Sequence, residues 1–126
     1  MIEITPALAE FIAERHLATL ATQRADGTPH AVPVGFTFSE GVARVITFAP
    51  SVKAHNAQRG GRASVTQIDG ARWVTFEGPV RLSNDPDVIA RAVTAYAQRY
   101  RQPKVRDDRV VIEIEVDRVM CSGGLK

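Results

Sequence analysis

The sequence holds a single cysteine, Cys121, so no internal disulfide can form. Its three histidines, His16, His30 and His55, are dispersed, without the Cys/His spacing of a zinc or other metal site. Long apolar runs are missing too: stretches such as Val110-Val111-Ile112 fall far short of the roughly 20 residues that cross a bilayer. Met1 is followed by Glu3 rather than by a basic and then apolar export signal, so the expected location is the cytoplasm, without a membrane partner. There is no glycine-rich Walker loop, no Ser/His/Asp triad and no paired-carboxylate site selectable by spacing. Without an evident nucleophile or acid-base pair, a chain of this kind does chemistry through a bound cofactor, for which the protein supplies position and electric field.

What is present fits one folded domain spanning residues 1–126, with 44% hydrophobic and 24% charged residues. The formal charge is only +2, which gives no case for nucleic acid, yet 13 of the 16 basic residues are arginine. Arginine suits planar, bidentate recognition of phosphate or carboxylate, although genomic composition enriches it as well. Position along the chain has to decide.

Thr5-Pro6 is an N-cap and first-turn signature for a short helix carrying Leu8, Phe11 and Ile12 on one face. A strand follows from Leu17 to Arg24, ended by the Asp26-Gly27 hairpin signal. From His30 to Phe38 one face is bulky (His30, Val32, Val34, Phe36, Phe38) and the other small (Ala31, Pro33, Gly35, Thr37), which predicts an edge, a bulge or close approach by something other than a side chain. Val42 to Phe48 gives a third strand. Ser51 caps a short helix to Arg59, stopped by Gly60-Gly61. Two strands, 62–68 and 71–82, flank Asp69-Gly70. Asn84 or Asp85 then caps a longer helix with Pro86 at its start and Val88, Ile89, Ala92, Val93, Tyr96, Ala97 and Tyr100 as its stripe. In the last strand, Val110, Ile112, Ile114 and Val116 alternate with Val111, Glu113, Glu115 and Asp117, which predicts one packed and one solvated face. Six hairpin-connected strands with short helices predict a mainly β, α+β fold: a small antiparallel barrel.

Ser51-Val52-Lys53, with His55 and Asn56 behind it, lies where a strand turns into a helix and suits a phosphate; it equally fits an ordinary serine cap followed by a solvated lysine. No acidic residue occurs from Arg44 through Arg62. Arg72-Trp73 offers an anion donor beside an aromatic plane, with core or dimer packing as the competing role for the tryptophan. His30 is either a ligand contact or a structural imidazole, and Cys121 reads as an ordinary thiol.

The runs Leu17-Ala18-Thr19-Leu20-Ala21-Thr22, Asp26-Gly27-Thr28-Pro29-His30, Arg44-Val45-Ile46-Thr47 and Ser51-Val52-Lys53-Ala54-His55-Asn56 resemble the pyridoxamine-phosphate-oxidase-like family of flavin and deazaflavin enzymes. Within it, Val34-Gly35-Phe36-Thr37-Phe38, Asp69-Gly70-Ala71-Arg72-Trp73 and Tyr96-Ala97-Gln98-Arg99-Tyr100-Arg101 are similar to the actinobacterial deazaflavin-dependent biliverdin reductases. The resemblance implies a homodimer of six-stranded, FMN-binding-like split β-barrels, with cofactor sites at the subunit interface. It implies coenzyme F420 as cofactor, FMN being the alternative, and hydride transfer to a conjugated acceptor, foremost biliverdin giving bilirubin. By the same resemblance Ser51, Lys53 and Asn56 receive the cofactor phosphate, beside Arg44 and Thr47 on the preceding strand. His30, Val32, Pro33 and Val34 lie beneath the ring system, and Arg72 and Trp73 stand near the bound cofactor. The chain ends at Lys126 without the extended C-terminal segment of full pyridoxamine-phosphate oxidases, so vitamin-phosphate oxidation is not the expected activity. A flavin reductase or oxidase of the same fold and a non-catalytic tetrapyrrole or cofactor carrier are the alternatives.

Overall fold

In the computed structural model, residues 2–126 are described. Helix α1 (Pro6–Ala13) starts where Thr5 and Pro6 predict: the Thr5 hydroxyl accepts the Leu8 N–H at 3.2 Å and donates to the Leu125 carbonyl at 2.6 Å, tying the opening helix to the C-terminal turn. Strands β1 (Ala18–Gln23) and β2 (Pro29–Val34) form the first hairpin, and β3 (Thr37–Ser39) and β4 (Val42–Phe48) the second. Ser51 caps α2 (Val52–Gln58), and Gly60 and Gly61 carry the chain away from it at φ of 82° and 84°, a region side chains avoid. Strands β5 (Arg62–Asp69) and β6 (Arg72–Ser83) turn at Gly70; Asp85 caps α3 (Pro86–Arg99); β7 (Arg109–Glu115) and β8 (Arg118–Cys121) follow. No helix among the described residues is long and apolar enough to cross a membrane.

The expectation of six strands closing into a barrel is not met. The sheet has eight strands, all paired antiparallel, in the order β2-β1-β5-β6-β7-β4-β3, with β8 on β6, and it is not closed. The two outermost strands, β2 and β3, follow one another in the chain across Gly35-Phe36 but do not pair. Phe36 explains the break. Its N–H donates to the Tyr100 hydroxyl at 3.1 Å and its carbonyl accepts from the Arg99 guanidinium, so the backbone groups that would join a ladder are taken by side chains of α3. Gly35 is needed for the same contact: a Cβ there would lie 2.9 Å from a Tyr96 ring carbon and 3.0 Å from one of Tyr100. Of the three alternatives for this stretch, the edge holds, since β2 is an outermost strand; the close neighbours at Gly35 are two aromatic side chains.

The predicted last strand ends at Glu115, two residues early, and an eighth strand that the sequence did not suggest follows it. Val116 donates to Gly41 O and Asp117 to Glu77 O, and a Cβ on Gly78 would fall 1.9 Å from the Glu115 carbonyl oxygen. Long β6 thus pairs with β7 through Val80–Ser83 and with β8 through Val74–Glu77. The core lies inside the curl of the sheet, where Leu20, Val65, Val74, Phe76, Ile112 and Ile114 are fully buried and Phe76 stacks on Phe38 at 4.7 Å between centroids. Each such large side chain contributes roughly 1.5–3 kcal/mol by leaving water. Because α3 packs over β3, β4 and β7, the supposedly solvated face of β7 is covered as well: Val111 is fully buried and Glu113 is 6% exposed.

Candidate functional site

Where the end of β2, the end of β4, the first turn of α2 and α3 converge, they enclose a cleft of about 240 Å³. Pro33, Val34 and Gly35 form one wall, Ile46, Thr47 and Phe48 another, Tyr96 a third, and Lys53, Pro103 and Arg109 complete it. No carboxylate lines it. Lys53 is half-buried, its Nζ stands 5.8 Å from the centre of the Phe48 ring, and it has no acidic partner among the described residues. Burial pushes its pKa below the usual lysine range. A partly desolvated ammonium without an acidic partner, in a cleft lined also by apolar and aromatic side chains, by Thr47 and by Arg109, is suited to a ligand with a flat body and an anionic group.

Larger grooves exist among the described residues, but none brings a half-buried, unpaired cation together with aromatic walls; one of about 330 Å³ along α3 carries only the exposed Arg91 as its cation. A second, also of about 330 Å³ and beside Arg62, has its cation engaged by both oxygens of Asp117, at 2.9 and 2.6 Å. Another, of about 600 Å³, is lined by Ile2, Ile4, Phe38, Val42 and Val116 with Glu40 and Glu115, and it holds no basic residue.

Of the residues singled out in the sequence, the fold brings Pro33, Val34, Thr47 and Lys53 to this cleft. Ser51 and Asn56 lie on the same helix but are buried and occupied: the Ser51 hydroxyl accepts the Ala54 N–H at 3.2 Å and pairs with the Thr47 hydroxyl at 3.1 Å, while the Asn56 amide donates to the Thr22 hydroxyl at 3.0 Å. They fix the helix that carries Lys53. His30 and Val32 share the inward face of β2 with Val34; His30 stands opposite Thr22, and its Nδ1 is buried without a hydrogen-bond partner. Arg44 points into a separate cavity beside Arg91, with its Nε on Glu113 at 2.9 Å and its Nη1 on the Ser39 hydroxyl at 3.0 Å.

Arg72 and Trp73 sit at the β5–β6 turn against α1, away from the cleft lining. Arg72 grips both Glu14 oxygens at 2.9 Å and one Asp69 oxygen at 2.6 Å, and its guanidinium lies 4.5 Å from the centre of Phe11. The fork holds the Glu14 carboxyl at a pKa of about 2, with a smaller contribution from His16. Glu14, His16 and Asp69 lie close enough to one another to hold a metal ion, but Arg72 already bonds to both carboxylates.

Sequence reasoning did not reach Phe48, Tyr96, Pro103 or Arg109 as site residues. Tyr96 was legible as one member of the α3 stripe and of a run that carries the family resemblance, not as a cleft residue. Arg109 reaches the cleft through the β4–β7 register, in which it stands opposite Phe48, a long-range pairing with no local signature.

The family model of pyridoxamine 5'-phosphate oxidase matches residues 4–120, and the chain belongs to that family. It is 47% identical over 131 residues to the F420H(2)-dependent biliverdin reductase of Mycobacterium tuberculosis (strain CDC 1551 / Oshkosh), an alignment covering 99% of this chain and 96% of that protein. Among solved structures, a conserved hypothetical protein from Mycobacterium tuberculosis superposes with a TM-score of 0.81 at 28% identity, over 96% of this chain and 86% of the other. An F420 reductase structure superposes with a TM-score of 0.73 over 88% of this chain and 94% of its own; at 23% identity it shows the shared fold.

Proposed function

We propose that the protein is an F420-dependent reductase whose acceptor is a conjugated tetrapyrrole, biliverdin being reduced to bilirubin. The observation that carries the reading is Lys53: a half-buried, unpaired ammonium in a cleft without carboxylates fits the phosphate of such a cofactor. The relative that is 47% identical over 99% of the chain supports both cofactor and acceptor. When bound, reduced F420 supplies a hydride, which biliverdin takes at its central methine carbon while a proton goes to a neighbouring pyrrole nitrogen. The protein's own part is to bind and orient. Lys53 anchors the anionic end, Ser51 and Asn56 hold α2 in place, and Pro33, Val34 and Tyr96 offer flat, dry surfaces for a ring system.

The reading includes a homodimer with a site at each interface. Its support is an uncovered apolar strip around Trp73: Ile68, its cross-strand neighbour, and Leu17, just before β1, are each 65% exposed. On this reading Arg72 and Trp73, which lie away from the cleft of their own chain, act at the interface with a second copy.

Titrating F420 against the wild type and Lys53→Ala tests the assignment. The variant is expected to fold and melt like the wild type, since Lys53 has no partner to lose, and to bind F420 about ten- to a hundredfold more weakly, as loss of a charged hydrogen bond predicts. Unchanged affinity removes Lys53 from the site. Copurifying FMN with direct oxygen consumption would favour a flavin enzyme of the same family, and ligand binding without turnover a carrier.

A further inference from the structure

We propose that Arg109 is a second anion-binding residue of the Lys53 cleft, taking a carboxylate that the ligand carries separately from the group held at Lys53. The proposal rests on the reading of this cleft as the ligand site and adds the chemical class of a second recognised group.

Arg109 opens β7 and is carried into the cleft by its pairing with Phe48. Around that same ring stand Lys53, at 5.8 Å from the centroid, and the Arg106 guanidinium, at 4.6 Å. Two cations thus stand by this ring, and Arg109 lies opposite it on the neighbouring strand. Arg106 is neutralised by Asp108 through a fork of 2.7 and 2.9 Å. Arg109 is not: among the described residues its guanidinium makes one hydrogen bond, from Nη2 to the Lys104 carbonyl at 2.7 Å, and it pairs with no carboxylate. That backbone contact orients the guanidinium plane and uses one of the two Nη2 hydrogens, so one fork, formed by the other Nη2 hydrogen with either Nε or Nη1, stays open for a ligand. Arg44, Arg62, Arg72, Arg81 and Arg118, by contrast, each pair with an acidic side chain of this chain.

Lys53 and Arg109 place two like charges on one cleft whose lining holds no carboxylate; Asp108, next to Arg109 in the chain and attracted by its charge, is forked to Arg106, so a ligand with one anion at each cation is favoured. The two cations differ in what they select. Lysine is a compact point charge that accepts a phosphate in many orientations, whereas the planar arginine fork matches the two oxygens of a carboxylate. Between them lie Ile46, Phe48 and Tyr96 as apolar wall, so the preferred ligand is a conjugated body with anionic groups of two kinds or a pair of ligands that together supply them. The carboxylate can belong to the cofactor or to the acceptor, and the experiment separates them.

The test measures the Kd for F420 and the KM for biliverdin and for its dimethyl ester in the wild type, Arg109→Ala, Arg109→Lys and Arg101→Ala. Arg109→Ala is expected to weaken one of the two acids about tenfold, the loss of one charged hydrogen-bond pair. A loss in F420 affinity assigns the carboxylate to the cofactor. A loss with biliverdin that vanishes with the ester assigns it to the acceptor. Arg109→Lys recovers only part of the loss, and Arg101→Ala, which removes an exposed charge from the neighbouring connection, stays within about twofold. The proposal is overturned if Arg109→Ala stays within twofold for both acids, or if Arg101→Ala loses as much. Normal binding by the wild type with no effect at Arg109 sinks this assignment alone; a wild type that binds neither F420 nor biliverdin sinks it together with the cleft itself.

Discussion

Lys53 links charge to binding in a way that pH exposes. Burial lowers the pKa of its ammonium in the free protein, and a bound anion raises it again. Binding therefore takes up protons as pH rises into the range where the free lysine has begun to lose its own, and affinity falls as pH rises through that depressed pKa. Calorimetry of F420 binding in buffers of different ionisation enthalpy should show this uptake in the wild type and not in Lys53→Ala; equal uptake in both would contradict the assignment. Glu14 has the opposite sign. Its folded pKa, held at about 2 against an ordinary 4.5, makes its stabilisation fully present above 4.5 and lost as pH falls toward 2. Arg72→Met should flatten the acid limb of a stability-against-pH curve, and an unchanged slope would show that the fork is not what lowers the pKa. Gly35 is a steric case. Gly35→Ala places a methyl 2.9 Å from Tyr96 and 3.0 Å from Tyr100, and it should destabilise by about 1–3 kcal/mol in thermal or denaturant unfolding. A melting curve equal to the wild type would mean that the rings move aside.

Among the elements, α3 does more than cover a sheet. Its last turn supplies Tyr96 to the cleft, while Arg99 and Tyr100 hold the Phe36 backbone and so separate β2 from β3. The Tyr100 hydroxyl also donates to the His16 carbonyl at 2.7 Å, joining the approach to β1 to the same junction. Tyr100→Phe leaves the Phe36 N–H without its acceptor beside a fully buried ring, and should destabilise by about 1–3 kcal/mol in urea unfolding. Elements with local signals were legible in the sequence: Thr5-Pro6, Ser51 and Asp85 start helices, Gly60-Gly61 follow one, and Gly70 turns the β5–β6 hairpin. The strand breaks were not. Gly35-Phe36 is interrupted by residues more than 60 positions away, and Val116-Asp117 by the close crossing at Gly78, neither of which leaves a mark on the strand's own alternation. Glu113 was misread for the same reason. Its alternation is that of a solvated position, but α3 roofs it and Arg44 and Arg81 take its charge at 2.9 and 3.1 Å.

Taken as a whole, the molecule gathers its candidate site from strands β2, β4 and β7, helices α2 and α3 and the connection at Pro103. The Lys53 end could be read from a local motif, because a strand-to-helix turn with serine and lysine has a chemistry of its own. The Arg109 end depends on sheet register, and Arg72 and Trp73 would depend on a second copy, so neither is written in any short stretch of chain. The homodimer has its own test at this scale: replacing exposed Ile68 with a charged residue should shift the protein toward the monomer in sedimentation and lower turnover with it, and an unaltered sedimentation coefficient would place the interface elsewhere. The central claim is that this cleft receives reduced F420 and passes its hydride to a tetrapyrrole. The measurement that addresses it most directly follows F420 absorbance and oxygen together, starting from reduced F420 and wild-type protein, with and without biliverdin. The account predicts saturable oxidation on addition of biliverdin, bilirubin formed in equal amount, and negligible oxygen uptake without it. No F420 binding at concentrations on the order of tens of micromolar, or oxidation that proceeds at the same rate without biliverdin, would contradict it.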